Sequence, residues 1–203
     1  VRLHGSYGTA VTNPTFFEQF GFVPAIFVGN AGLEPEKARG WDAGIEITSE
    51  DGLIMADLTW FESILEDEIV PRFPTVVNAR GQSDRRGLEM SLTYRGQFAE
   101  VSASYTYIES LDMRGEDEVG RPRNTGSLSI QRSWRDDRVT GAFNVLYSSG
   151  HYDTDFRNYF VNGFASELTK LGSSTVVNAQ VSYRLNNLVE LYLRGENIFD
   201  ADY

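Results

Sequence analysis

The chain has 203 residues, of which 41% are hydrophobic and 13% aromatic, with a formal net charge of −11 and no cysteine. That much apolar material excludes a disordered chain, and the acidic balance, with no basic stripe, argues against nucleic acid as a partner. The lack of cysteine removes disulfides, zinc-thiolate sites and thiol catalysis without fixing a compartment. No apolar run approaches the ~20 residues of a membrane helix; the most apolar stretch, 22–28, is far too short. The chain begins at Val1 without Met or a signal peptide, so it is expected to be a segment of something larger.

Period-two alternation predicts about nine strands, at 1–8, 40–49, 53–62, 84–95, 98–110, 124–134, 139–148, 175–185 and 188–196. One face of nearly every strand is apolar. Ala43, Ile45 and Ile47 alternate with Asp42, Gly44 and Glu46, and Ile54, Ala56 and Leu58 with Met55 and Asp57. Leu88, Met90 and Leu92 alternate with Glu89 and Ser91, and Val101, Ala103 and Tyr105 with Ser102 and Ser104. Val177, Ala179 and Val181 alternate with Asn178 and Gln180. Charge is almost confined to the other parity, Arg132 near a turn being the exception. Large aromatics cap the apolar face at both ends: Tyr94, Trp134 and Tyr183 on one side, and Tyr7, Trp41, Trp60, Tyr107 and Tyr147 on the other.

The connections alternate too. Tight polar turns at 50–52, 95–97, 135–138 and 186–187 take turns with long irregular stretches at 9–38, 70–83, 111–123 and 150–174. In an up-and-down sheet this puts every short turn on one edge and every long loop on the other. A soluble sandwich also buries one face of each strand. Short turns on one side, long loops on the other and two aromatic belts around an apolar band fit a transmembrane barrel.

Several segments carry a resemblance. They are Ser6-Tyr7-Gly8-Thr9-Ala10 with Asn13-Pro14-Thr15-Phe16; Gly29-Asn30, Leu33 and Pro35-Glu36-Lys37 before Trp41-Asp42-Ala43-Gly44-Ile45-Glu46; 78–81 with Arg86-Gly87-Leu88-Glu89; and Asn197-Ile198-Phe199-Asp200-Ala201-Asp202-Tyr203. In this order they resemble the TonB-dependent outer-membrane receptors. The motif residues of that resemblance are Asn30, Leu33, Pro35, Glu36, Gly87, Glu89, Asn197, Phe199, Asp200 and Tyr203. It implies an all-β, antiparallel up-and-down transmembrane β-barrel, of which about nine strands out of about 22 are present, around a plugged lumen. The plug, the energy-coupling box, the first half of the barrel and its last strand would lie outside residues 1–203. Implied partners are outer-membrane lipid and lipopolysaccharide, the protein's own plug domain, the TonB-ExbB-ExbD complex, and a ferric siderophore or cobalamin as ligand. No cofactor is implied. Alone, such an arc is expected not to be stable, because lipid does not tolerate open sheet edges.

Function is expected in the long loops, held by the rigid sheet. Phe16, Phe17, Phe20, Phe22 and Phe27 crowd the first, and Tyr152, Phe156, Tyr159, Phe160 and Phe164 the last. One reading is a mouth that grips a ligand, with Arg72, Arg80, Arg121, Arg123 and Arg157 attracting an anionic chelate. The other is a set of small loop cores. Asp153 and Asp155 offer oxygen ligands but lack a third acidic partner at fixed spacing for calcium. Enzymatic activity is not expected: His4 and His151 are the only histidines, and no nucleophile elbow, phosphate loop or paired-histidine motif is present. Between ligands, the 150–156 segment is similar to vitamin B12 receptors, while ferric siderophores are the commoner family substrate. A passive porin or adhesin barrel and a soluble carbohydrate-binding sandwich are the alternatives.

Overall fold

A computed structural model of the chain describes residues 1–97, 99–134, 137–157 and 167–202. In chain order the elements are β1 (Arg2–Thr12), a short helix α1 (Phe16–Phe20), β2 (Phe22–Val23), β3 (Phe27–Val28), β4 (Glu36–Thr48), β5 (Ile54–Glu66), β6 (Ile69–Arg72), β7 (Thr75–Asn78), β8 (Gln82–Arg95), β9 (Glu100–Leu111), β10 (Asn124–Trp134), β11 (Val139–Ser148), β12 (His151–Asp155), β13 (Glu167–Leu171), β14 (Ser174–Arg184) and β15 (Glu190–Gly195). Nine of them form one open antiparallel sheet in the order β1-β4-β5-β8-β9-β10-β11-β14-β15. Each therefore pairs with the next long strand in the chain, which is an up-and-down meander.

The register keeps most of the apolar residues on one face, Phe61, Ile108, Leu146 and Tyr192 falling on the other. Leu3, Ile45, Leu58, Met90 and Tyr105 stand opposite one another across five strands. Val101, Ile130, Phe143 and Ala179 continue the band. A one-residue slip at any pair would turn a whole strand's apolar set to the other side. Among the described residues only Leu33 and Val177 are buried hydrophobics, and Met90 in mid-band is 46% exposed. No second sheet packs over the apolar face among the described residues, which removes the sandwich. No described helix is long and apolar enough to cross a membrane.

The short turns are built by side chains. Asp51 accepts from the Leu53 amide at 3.0 Å and from the Ser49 hydroxyl, and Gly52 supplies the positive φ of 71° that closes the turn. Asn186 caps the amides of Leu188 and Val189 at 2.8 and 3.0 Å. The expected turn at 135–138 includes Arg135 and Asp136, which lie outside the described residues.

Three expectations are corrected. The strands run further at the long-loop end than the alternation indicated, β1 to Thr12 and β4 from Glu36, so the first loop shrinks to 13–35. The long loops are not irregular throughout: β2-β3, β6-β7 and β12-β13 are hairpins inside them. Charge keeps to one parity only within the apolar band. Above the aromatic belt, Arg39, Glu62, Asp84, Arg86 and Glu109 share the parity of the apolar residues. At the opposite end Arg132 places its guanidinium carbon 5.2 Å from the centre of the Trp134 ring, a cation–π contact beside the turn.

Candidate functional site

The loops at the long-loop end are stitched to one another by the motif residues. The Asn30 amide donates to the Val76 carbonyl at 3.0 Å and its oxygen accepts from the Gly32 amide. Leu33 is 6% exposed. Pro35 leads into β4, and the Glu36 carboxylate accepts from the Ile69 amide at 2.8 Å. Asn78 completes the seam: it accepts from the Glu34 amide and donates to the carbonyls of Glu34 and Asp67. A fourth tie runs from the Val28 amide to the Pro74 carbonyl at 2.8 Å. Asn30, Asn78 and the Val28 amide thus fasten the 13–35 loop to the β6-β7 hairpin, and Glu36 at the start of β4 ties to it as well.

The other motif residues serve close approach and turning. Gly87 lies under the Phe61 ring on the polar face, where a Cβ would stand 2.7 Å from Phe61 Cζ and collide with the Tyr107 carbonyl. Glu89 stands on the same face between Thr59 and Thr106. Asn197 adopts φ 45° and closes the turn through Ala201, its amide donating to the Ala201 carbonyl at 3.0 Å and its oxygen accepting from the Ala201 amide at 2.9 Å. Asp200 also takes a positive φ, 50°, and Phe199 is 74% exposed. Tyr203 lies outside the described residues.

A charged cluster occupies the polar face where β8 and β9 enter the loops. Arg85 grips the Glu118 carboxylate with Nε at 3.2 Å and Nη2 at 2.9 Å, while Ser110 and Arg121 bind the same carboxylate. Burial pushes the Glu118 carboxyl up, but the bonds from Arg85 and Ser110 and the charges of Arg85 and Arg121 outweigh it and hold it below its ordinary 4.5. Beside this cluster lies a hollow of about 190 Å³ lined by Asp117, Glu118, Arg121, Arg123, His151 and Lys170, among others. His151 Nδ1 is buried without a hydrogen-bond partner among the described residues. Arg121, Arg123 and Lys170 face two carboxylates around this small hollow, Arg121 pairing with Glu118 and Arg123 with Asp117 through Nη2 at 2.6 Å.

Of the loop residues expected to meet a ligand, Arg121 lines this hollow with its guanidinium engaged by Glu118. Tyr152 also lines it, and the Tyr152 carbonyl accepts from the Gly120 amide at 2.7 Å, joining the last two loops. Phe156 is exposed, and Arg157 pairs with Asp155 through Nε at 2.9 Å and Nη2 at 2.6 Å. These bonds hold the Asp155 carboxyl below its ordinary value. Phe16 and Phe20 lie on α1 with ring centroids 5.1 Å apart, Phe16 being 80% exposed. A capping box fixes that helix: Thr15 accepts from the Glu18 amide, and Glu18 accepts from the Thr15 amide at 2.7 Å. Arg72 ends β6 and Arg80 follows β7, both exposed and with no partner among the described residues. Tyr159, Phe160 and Phe164 lie outside the described residues. The sequence reading missed Lys170 and the partnership of Arg85 with Glu118; Lys170 meets the hollow because β13 pairs with β12, placing it opposite Tyr152.

An up-and-down sheet with one lipid-compatible face, short turns at one edge and stitched long loops at the other is the wall of a transmembrane β-barrel. A family model described as TonB dependent receptor-like, beta-barrel matches residues 1–198. The chain belongs to that family. Among solved structures it is similar to the ferripyoverdine receptor of the outer membrane of Pseudomonas aeruginosa bound to ferripyoverdine, at 17% identity and a TM-score of 0.78, covering 98% of this chain and 27% of that one. It is also similar to the ferric enterobactin receptor of Pseudomonas aeruginosa (17%, TM-score 0.76, 98% and 32%) and to the ferric-catecholate import receptor of E. coli (17%, TM-score 0.73, 99% and 29%). At these identities the likeness is one of fold. The chain spans between 27% and 32% of the length of these relatives.

Proposed function

We propose that residues 1–203 form the C-terminal part of the barrel of an active transporter in the outer membrane of a Gram-negative bacterium. The whole protein binds a ferric siderophore at its long loops. A plug domain in the lumen, pulled by the TonB-ExbB-ExbD complex, releases the ligand inward. The plug, the first half of the barrel and the last strand belong to the parts of that protein beyond this chain. The role is transport and not catalysis.

The observation that carries this reading is the cationic hollow at the mouth, where Arg121, Arg123 and Lys170 gather beside His151. Ferric siderophores with catecholate or hydroxamate arms present clustered oxygen atoms and, in many cases, net negative charge, which such a hollow attracts. The ligands of the fold relatives, ferripyoverdine, ferric catecholate and ferric enterobactin, are of that class. The segment that pointed to cobalamin gives less support, because Asp155 is taken up by Arg157 and Asp153 by the Thr154 amide.

The test is a binding screen on the whole receptor in detergent, with ferric catecholate and hydroxamate chelates against cyanocobalamin. A saturable signal with a ferric chelate, weakened about tenfold by joint Arg123→Ala and Lys170→Ala replacement, is expected. Tight corrinoid binding with no chelate binding would overturn the reading.

A further inference from the structure

The hollow at the mouth is small, and its charges are unequally matched. At about 190 Å³ it falls below the roughly 300–1,000 Å³ of a pocket that encloses a whole small ligand. It has room for one arm of a chelate and not for the chelate. Two of its three cations are already answered: Arg121 by Glu118, which Arg85 shares, and Arg123 by Asp117. Lys170 has neither an ion pair nor a hydrogen bond among the described residues.

His151 is the second group without an answer. Its Nδ1 is buried and has no hydrogen-bond partner among the described residues. Buried polar atoms in folded proteins are almost always bonded. The partner of Nδ1 therefore comes from outside the chain, as water or as ligand.

Local backbone contacts fix both groups in place. Gly150 lies against the Leu171 carbonyl, where a Cβ would stand 2.7 Å away, so only glycine lets the chain close on β13 at this point. His151 then pairs with Leu171, and Tyr152 with Lys170, in the β12-β13 ladder. The Gly120 amide bonds the Tyr152 carbonyl at 2.7 Å and holds the facing loop against that hairpin. Lys170 and His151 thus stand on one fixed ladder beside the hollow, which keeps the ordering cost of binding low.

What complements one free ammonium and one free imidazole nitrogen is a single carboxylate. One oxygen takes a charge-assisted bond from Lys170 Nζ, and the other a bond from His151 Nδ1–H, in the tautomer that carries the proton there. A catecholate or hydroxamate commits its oxygens to iron. A chelate that also carries a carboxylic acid outside the iron shell keeps both oxygens of that group for the protein.

We infer that this hollow selects ferric chelates bearing a carboxylate that iron does not take up, held between Lys170 and His151. The inference narrows the ligand class of the transport reading above and rests on that reading.

Equilibrium binding to the whole receptor in detergent is followed by quenching of tryptophan fluorescence. The probes are ferric aerobactin, whose two hydroxamate arms each carry a free carboxylate, and ferric enterobactin and ferrichrome, which carry none. Wild-type protein is expected to bind ferric aerobactin most tightly. Lys170→Met and His151→Phe remove the two groups while keeping side-chain bulk. Each is expected to weaken ferric aerobactin about tenfold more than either carboxylate-free chelate, the loss of one charge-assisted or buried bond. Lys170→Arg keeps the charge and is expected to keep the preference. Heat-modifiable mobility on gels confirms that each variant is a folded barrel. Equal weakening of all three chelates, or a wild-type preference for enterobactin or ferrichrome, would overturn the inference and leave the transport reading standing. Binding of no ferric chelate would overturn the reading on which it rests.

Discussion

Arg85 and Glu118 face each other with two parallel hydrogen bonds, Nε to Oε2 at 3.2 Å and Nη2 to Oε1 at 2.9 Å. This fork ties the 112–123 loop to β8, across the sheet face that carries the polar residues. The Glu118 side chain is only 12% exposed and that of Arg85 30%, so the carboxylate is shielded and the guanidinium partly so. Glu118→Gln is expected to loosen the loop by about 2–3 kcal/mol, because it leaves a partly shielded guanidinium without its charge partner. Amide exchange at Glu118, whose N–H donates to the Ser110 carbonyl at 2.9 Å, reports it.

The same pair sets a pH dependence. The Glu118 carboxyl is held below its ordinary 4.5 in the folded loop. Its contribution is therefore complete above that ordinary value and is lost as the pH falls through the lowered one. Protection of the Glu118 amide should hold from neutral pH down to about 4.5 and fall below it. In Glu118→Gln this acid-induced step should vanish. A step that persists in the variant would assign it to another group.

Asn78 is the knot of the first two loops. Its replacement by Ala strands the Glu34 amide and the carbonyls of Glu34 and Asp67. A cost of about 1–3 kcal/mol, confined to the loops, is expected. Hydrogen exchange should accelerate across 28–36 and 67–79 while the amides of β5 and β8 stay protected. Asn78→Asp keeps the acceptor for Glu34 and loses both donors, so it should fall between.

Gly87 is expected to tolerate no side chain. Gly87→Val drives two methyls toward the Tyr107 carbonyl and the Phe61 ring. Overpacking of this kind costs about 1–3 kcal/mol or more. The variant should reach the folded, heat-modifiable form in much lower yield. Joint Phe61→Ala replacement should restore part of that yield, since it removes the ring but not the carbonyl.

Much of this fold was legible in the residues because a membrane wall imposes one rule on every strand. Leu58, Met90 and Tyr105 can be placed on one face by counting in twos, and the register confirms them as neighbours. The loop hairpins were not legible. Ile69–Arg72 and Thr75–Asn78 are four residues each and face no uniform solvent, so no alternation marks them. The motif residues could be named, but not their work: Asn30 meets Val76 and Glu36 meets Ile69, contacts across 46 and 33 residues. The charges of the outer wall were hidden differently. Glu62 and Arg86 obey the apolar parity, and only the level of the aromatic belt shows that they have left the apolar layer.

The most direct measurement of the wall itself is site-directed spin labelling of the whole receptor in liposomes. This chain has no cysteine of its own to label. Single cysteines at positions 54–58 on β5 and 88–92 on β8 are scanned for collision with oxygen and with a polar nickel complex. Oxygen accessibility should peak at Ile54, Ala56 and Leu58 and at Leu88, Met90 and Leu92, and nickel accessibility at Asp57, Glu89 and Ser91, with a period of two and the strands in phase by their pairing. A profile without that alternation, or one in which Leu58 and Met90 meet water and Asp57 and Ser91 meet lipid, would contradict the assignment of this sheet as a membrane wall.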